Sequence, residues 1–121
     1  MGVFYFASNI EETSERHNNQ NLRTHYYNSR YNELKQIVIS YAKANKMTVK
    51  SEDDKHGEIF LQSSRFHIIV SIMQITPLET SVDFKVQTYK LLGLFKPLKL
   101  ITSFYIYLNS KAQFKGAGLH P

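Results

Sequence analysis

The chain has no cysteine and no tryptophan, and only three prolines in 121 residues. Without thiols there is no disulfide scaffold, no thiolate zinc site and no cysteine nucleophile. Long hydrophobic runs are missing as well. The longest near-apolar stretch, residues 66–75, contains His67, Ser71 and Gln74 and is strand-sized, far below the ~20 residues of a spanning helix. The apolar start at residues 3–6 has no basic residue before it, and Glu11, Glu12 and Glu15 follow it, which is not the pattern of a signal or transit peptide. Phe6 stands where a myristoylation signal wants Ser or Thr. The expectation is a cytoplasmic protein with no transmembrane segment.

Acidic residues are missing from the last third. All ten lie at or before Asp83, so residues 1–83 hold nine basic and ten acidic groups, a net of −1. From Phe84 onward the only charged side chains are Lys85, Lys90, Lys96, Lys99, Lys111 and Lys115, a net of +6. A one-signed end attracts nucleic acid, anionic lipid or an acidic partner. No two of these lysines are adjacent and the tract is not dense, so a solubilising lysine-decorated surface is the favoured reading.

What is present suits one soluble domain: 42% hydrophobic and 21% charged residues fill a single core and cover it. Residues 8–21 are polar, with Ile10 their one sizeable aliphatic. Residues 1–21 therefore read as a mobile polar leader with an apolar start, and residues 22–121 as a single α+β domain. Residues 22–27 suggest a first strand, after which Asn28 or Ser29 offers a short side-chain oxygen to cap a helix. From 30 to 45 the residues Tyr31, Leu34, Ile37, Val38, Tyr41 and Ala42 form one apolar stripe at steps of three and four.

Four strands are predicted next, at 47–52, 58–63, 66–75 and 80–90. Gly57 closes the first turn, Ser64-Arg65 the second, and Pro77 interrupts the third. Residues opposite each other in antiparallel strands share a face. A two-residue turn at 64–65 sets Leu61 against Ile68 and Ile59 against Val70. A five-residue turn at 53–57 sets Val49 against Leu61. An odd-length loop around Pro77 sets Val70 and Ile72 beside Val82, Phe84 or Val86; an even one would oppose them with Asp83, Lys85 and Gln87. After an irregular apolar bridge at 91–96, Pro97 suits the first position of a helix with Leu98, Ile101, Tyr105 and Leu108 as its buried stripe. Residues 111–121 read as an irregular tail. The expected architecture is an antiparallel sheet in β-α-β-β-β-β-α order with two helices packed on one face, a helix-grip-like arrangement.

The other sheet face carries Phe60, Ile69, Met73 and Tyr89 among Gln62, His67, Ser71, Asp83 and Lys85. Such a mixture is too apolar for free solvent and too polar for a core, so Phe60, Ile69, Met73 and Tyr89 are the candidate partner face. Residues 3–6 of the same chain, a second copy or a ligand are the candidate covers.

Two stretches, Thr76-Pro77-Leu78-Glu79-Thr80-Ser81-Val82-Asp83-Phe84-Lys85-Val86 and Phe114-Lys115-Gly116-Ala117-Gly118-Leu119-His120-Pro121, resemble a family of small uncharacterised cytosolic proteins from Gram-positive bacteria. The likeness covers roughly residues 22–121. That family has no assigned activity, so the resemblance implies a cytosolic protein and carries no catalytic residue to this chain.

Specific chemistries find little support in the residues. His17, His25, His56, His67 and His120 are scattered, with no pair at metal-binding spacing. The acidic turn at 52–58 lacks the alternating ligands of a calcium loop. His67 and Ser71 lie four residues apart on one strand, about 13 Å at the strand rise, too far for a nucleophile and its base. Lys115-Gly116-Ala117-Gly118 neither follows a strand nor opens a helix, so it is no phosphate cradle. No cofactor is implied.

Nucleic acid is the more serious alternative, with Lys85, Lys90, Lys96, Lys99 and Lys111 as candidate anion contacts beside aromatic rings. A further alternative is a carrier of a small apolar ligand between the sheet and the last helix. The leading expectation is a small non-enzymatic interaction module. It contacts a protein partner, its own copy included, through the exposed sheet face or the basic C-terminal helix.

Overall fold

The computed structural model describes residues 8–89 and 96–118. The apolar start at 3–6, Lys90, most of the bridge after it and residues 119–121 lie outside the described residues.

Alternating apolar residues build the centre of the molecule as a four-strand meander. It comprises β3 (Thr48–Asp53), β4 (Glu58–Gln62), β5 (Phe66–Thr76) and β6 (Glu79–Tyr89). Leu61 faces Ile68, Ile59 faces Val70, Val70 faces Phe84 and Ile72 faces Val82, as the pattern predicts. The two outer turns reach these registers differently from expectation. Pro77-Leu78 is a two-residue turn joining Thr76 to Glu79, and a bulge between Gln74 and Thr76 absorbs one residue. The bulge restores the offset that keeps the aliphatics on one face. Likewise Asp53 pairs Glu58, and a bulge between Val49 and Ser51 brings Val49 back opposite Leu61.

Gly57 takes φ +70°, and a Cβ there would stand 2.1 Å from the Ile72 carbonyl oxygen. A Gly57→Ala variant is expected to lose about 2 kcal/mol or more from the left-handed backbone and the collision together. Urea denaturation reads this directly; an unchanged midpoint would mean the turn is not held against β5.

Both helices cover the inner face. In α1 (Tyr31–Ala44), Leu34, Val38 and Ala42 are buried, with Tyr31, Ile37 and Tyr41 packed beside them. Neither Asn28 nor Ser29 caps it. Arg30 is the N-cap without a side-chain bond, and the Tyr31 amide donates instead to Gln74 Oε1 of β5 at 2.8 Å. A strand thus satisfies a helix end that the local sequence does not. In α2 (Pro97–Lys111), Pro97 is the first helical residue and Ile101, Phe104, Tyr105 and Leu108 are buried. Leu98, expected inside, is exposed, and Phe104 takes the central place. These side chains close over Ile59, Leu61, Ile68, Val70, Ile72, Val82, Phe84 and Val86 as one core.

The edge beyond β6 departs most from expectation. Residues 8–21 are not a leader: β1 (Ser8–Glu12) pairs antiparallel with β6, Glu12 opposite Lys85. A short 3-10 turn (Gln20–Leu22) follows, then β2 (His25–Tyr27), which pairs with the other half of the same β6 edge. The excursion between them is closed at its neck, where the Ser14 amide donates to Leu22 O and the Thr24 amide to Ser14 O. The C-terminal tail is likewise ordered in part. β7 (Phe114–Ala117) adds outside β2, completing an antiparallel sheet in the order β3-β4-β5-β6-β2-β7 with β1 beside β6. The described residues therefore form an α+β fold with seven strands and two α-helices.

Candidate functional site

Even-numbered residues of β6 point into the core and odd-numbered ones outward, which places Lys85 and Tyr89 on the helix-free face. The registers put Phe60 opposite Ile69 and Ile69 opposite Lys85 in one row. His67 joins them: its ring meets Phe60 edge-on at 5.3 Å and Tyr89 at 5.6 Å, and its Nδ1 is hydrogen-bonded to the Tyr89 hydroxyl. Burial against these rings, with Lys85 nearby, holds the imidazole below its ordinary pKa. Phe60 and Ile69 are half-buried, whereas Tyr89 and Met73 are 41% and 63% exposed. Met73 lies four residues beyond Ile69 on β5, about 13 Å along the strand. It extends the patch without touching its centre.

The candidate anion contacts do not converge. Lys85 is exposed on the outer face, while Lys96 and Lys99 sit at the start of α2 on the opposite side of the sheet. Those two line a groove with Tyr41, Met47, Phe66 and Leu100. Lys111 ends the helix, about 18 Å from Lys99 at the helical rise, its Nζ 5.6 Å from the Tyr107 ring centre. Lys115 is occupied by the buried Glu79 carboxylate at 2.5 Å. Lys90 is outside the described residues.

Ser71 and Asp83 are cross-strand partners, yet Asp83 serves another purpose. Its Oδ1 accepts from Thr13 Oγ1 at 2.6 Å and Thr24 Oγ1 at 2.7 Å, bridging the gap where β1 ends and β2 begins. Burial raises its pKa, and the two hydroxyl donors pull the other way. Among the described residues no group of three or more His, Asp and Glu side chains is placed to hold a metal ion. No helix among them is long and apolar enough to cross a membrane.

A second site, not anticipated from sequence, lies on the helix side of the sheet edge. His25 on β2 is 8% exposed and stacks on Tyr105 of α2, ring centres 3.5 Å apart and planes within 9°. Tyr27 donates its hydroxyl to Asn109 Oδ1 at 2.6 Å, and His25 Nδ1 lies 3.3 Å from the same oxygen. An oxygen that already accepts from Tyr27 accepts a second proton from Nδ1, which leaves His25 Nε2 a bare acceptor. Burial pushes the imidazole down to about 4, against the opposing pull of the Asn109 bond, so the ring is neutral at physiological pH.

Beside it opens a cleft of about 610 Å³, which Arg23, Ile106 and Phe114 also line. Among the described residues the space between the sheet and α2 is otherwise filled by Ile101, Phe104 and Leu108, each wholly buried. The signal for His25 was its alternation with Tyr27, which sets a histidine on the core side of a strand. No protein-family model and no curated protein matches this chain.

Proposed function

We propose that the protein is a non-enzymatic interaction module that pairs with a second copy of itself through the helix-free face of its sheet. The carrying observation is that both helices lie on one face while the other presents the Phe60, His67 and Tyr89 rings with Ile69 and Met73. Apolar surface grouped in this way on a polar background favours a partner over water. Charges of both signs lie there, Lys85 opposite Glu12. A two-fold arrangement sets each sign against the other, as a self-complementary interface needs. The basic-helix and nucleic-acid readings lack comparable support, because the lysines are spread over two faces and both ends of α2.

Sedimentation across a concentration series is expected to show a monomer–dimer equilibrium. A Met73→Glu variant, placing a charge at an exposed position, shifts it toward monomer with an unchanged circular dichroism spectrum. Strictly monomeric behaviour of the unaltered chain overturns the reading. An unfolded Met73→Glu protein would mean this face is internal.

A further inference from the structure

We propose that the cleft between α2 and the sheet edge formed by β2 and β7 is a binding site for a small organic acid with an apolar body. Two independent features converge on it. The first is a positioned cation: Arg23 donates its Nε to His17 O at 3.0 Å, which fixes the guanidinium while its Nη edge has no partner among the described residues. A planar fork held in this way suits a carboxylate, since two parallel bonds form without further ordering of the side chain.

The second is apolar surface at the mouth. Ile106 is 69% and Phe114 40% exposed, both lining the same opening as Arg23 and His25. Elsewhere α2 turns Ile101, Phe104 and Leu108 inward, so Ile106 is the aliphatic of its middle turns that faces out over the cleft. Its volume, about 610 Å³, is in the range that accommodates small molecules. A carboxylate on Arg23 and an apolar body against Ile106 and Phe114 use both features. An uncharged apolar ligand would leave the guanidinium unused.

The probe is phenylacetate, followed by nitrogen–proton correlation NMR on the full chain, with phenylacetamide as the uncharged control. Phenylacetate is expected to shift the amide signals of Arg23, Asn109 and Ala117 saturably, and phenylacetamide to bind about tenfold more weakly, the worth of one charge-assisted bond. Arg23→Met is expected to erase the difference between acid and amide. Should that variant not fold, Ile106→Asp carries the test from an exposed position: it weakens phenylacetate about tenfold through repulsion and lost apolar contact, without lowering the melting temperature. Equal affinity for acid and amide, or shifts confined to the outer sheet face, or no saturable shift, each overturns the proposal.

Discussion

Phe104→Ala is expected to lower the unfolding free energy by about 4 kcal/mol, from the lost transfer of the ring together with the cavity it leaves. Phe104 is wholly buried on α2, its ring centre 4.2 Å from Tyr41 of α1 and 4.6 Å from Phe84 of β6. One side chain therefore joins both helices to the sheet, and neither neighbour can close the gap without leaving its own contacts. A domain of this size has about 5–15 kcal/mol in total, so the variant stands near the limit of folding. Chemical denaturation supplies the number. Leu98→Ala is the control, since the Leu98 side chain is 39% exposed and its loss belongs to the range of about 0.5 kcal/mol for surface positions. A Phe104→Ala loss below that of Leu98→Ala would show that α2 packs through a different face.

Acidification from pH 7 to 4 is expected to remove up to about 3 kcal/mol through His25 alone. The folded pKa is depressed to about 4 from an ordinary 6.5, chiefly by burial. The unfolded chain therefore takes up a proton between those values that the folded chain refuses. Stability from this group is present above pH 6.5 and lost as pH falls through about 4, at roughly 1.4 kcal/mol per unit of separation. Asp83 acts with the opposite sign. Its folded pKa is raised, so its contribution is present at acid pH and lost as pH rises through the folded value. His25→Phe separates the two, because it keeps the ring stacked on Tyr105 and removes the titration. The variant is expected to have a flatter stability profile between pH 4 and 6.5. An identical slope in both proteins would place the acid sensitivity elsewhere.

The parts of this fold that could be read from sequence are those held by buried side chains. Ile59, Leu61, Ile68, Val70 and Ile72 alternate, and alternation fixes both the strand and its face. The exposure of Met73 and Tyr89 and the grouping of Phe60 with Ile69 follow from the same rule. β1 and β7 were not legible because they hold their places through backbone pairing. The described side chains of β7 are all exposed or half-buried, and Ile10 of β1 is exposed, so neither leaves a hydrophobic period to detect.

The N-terminal cap failed as a local reading for a related reason: Gln74 is 43 residues from the amide it satisfies. The exchange of Leu98 for Phe104 is a rotation of α2, decided by the aromatic groove between Tyr41 and Phe84. The His25 cleft needed the three-dimensional meeting of β2, β7 and α2, which no single segment encodes.

The edge shared by β1 and β2 has a consequence for assembly. Among the described residues β1 pairs with β6 alone, β2 with both β6 and β7, and β7 with β2 alone. The stretch that holds Thr13 is made early, yet its anchor Asp83 lies 70 residues later. At about 5–20 residues per second during synthesis, that stretch waits several seconds for a place to dock. The hairpins from β3 to β6 form by short-range closure, and the two flanks join afterwards, at the entropic cost of distant contacts. Folding rate should therefore respond to changes in the β5–β6 hairpin, and unfolding rate to changes in the Thr13–Asp83–Thr24 bridge.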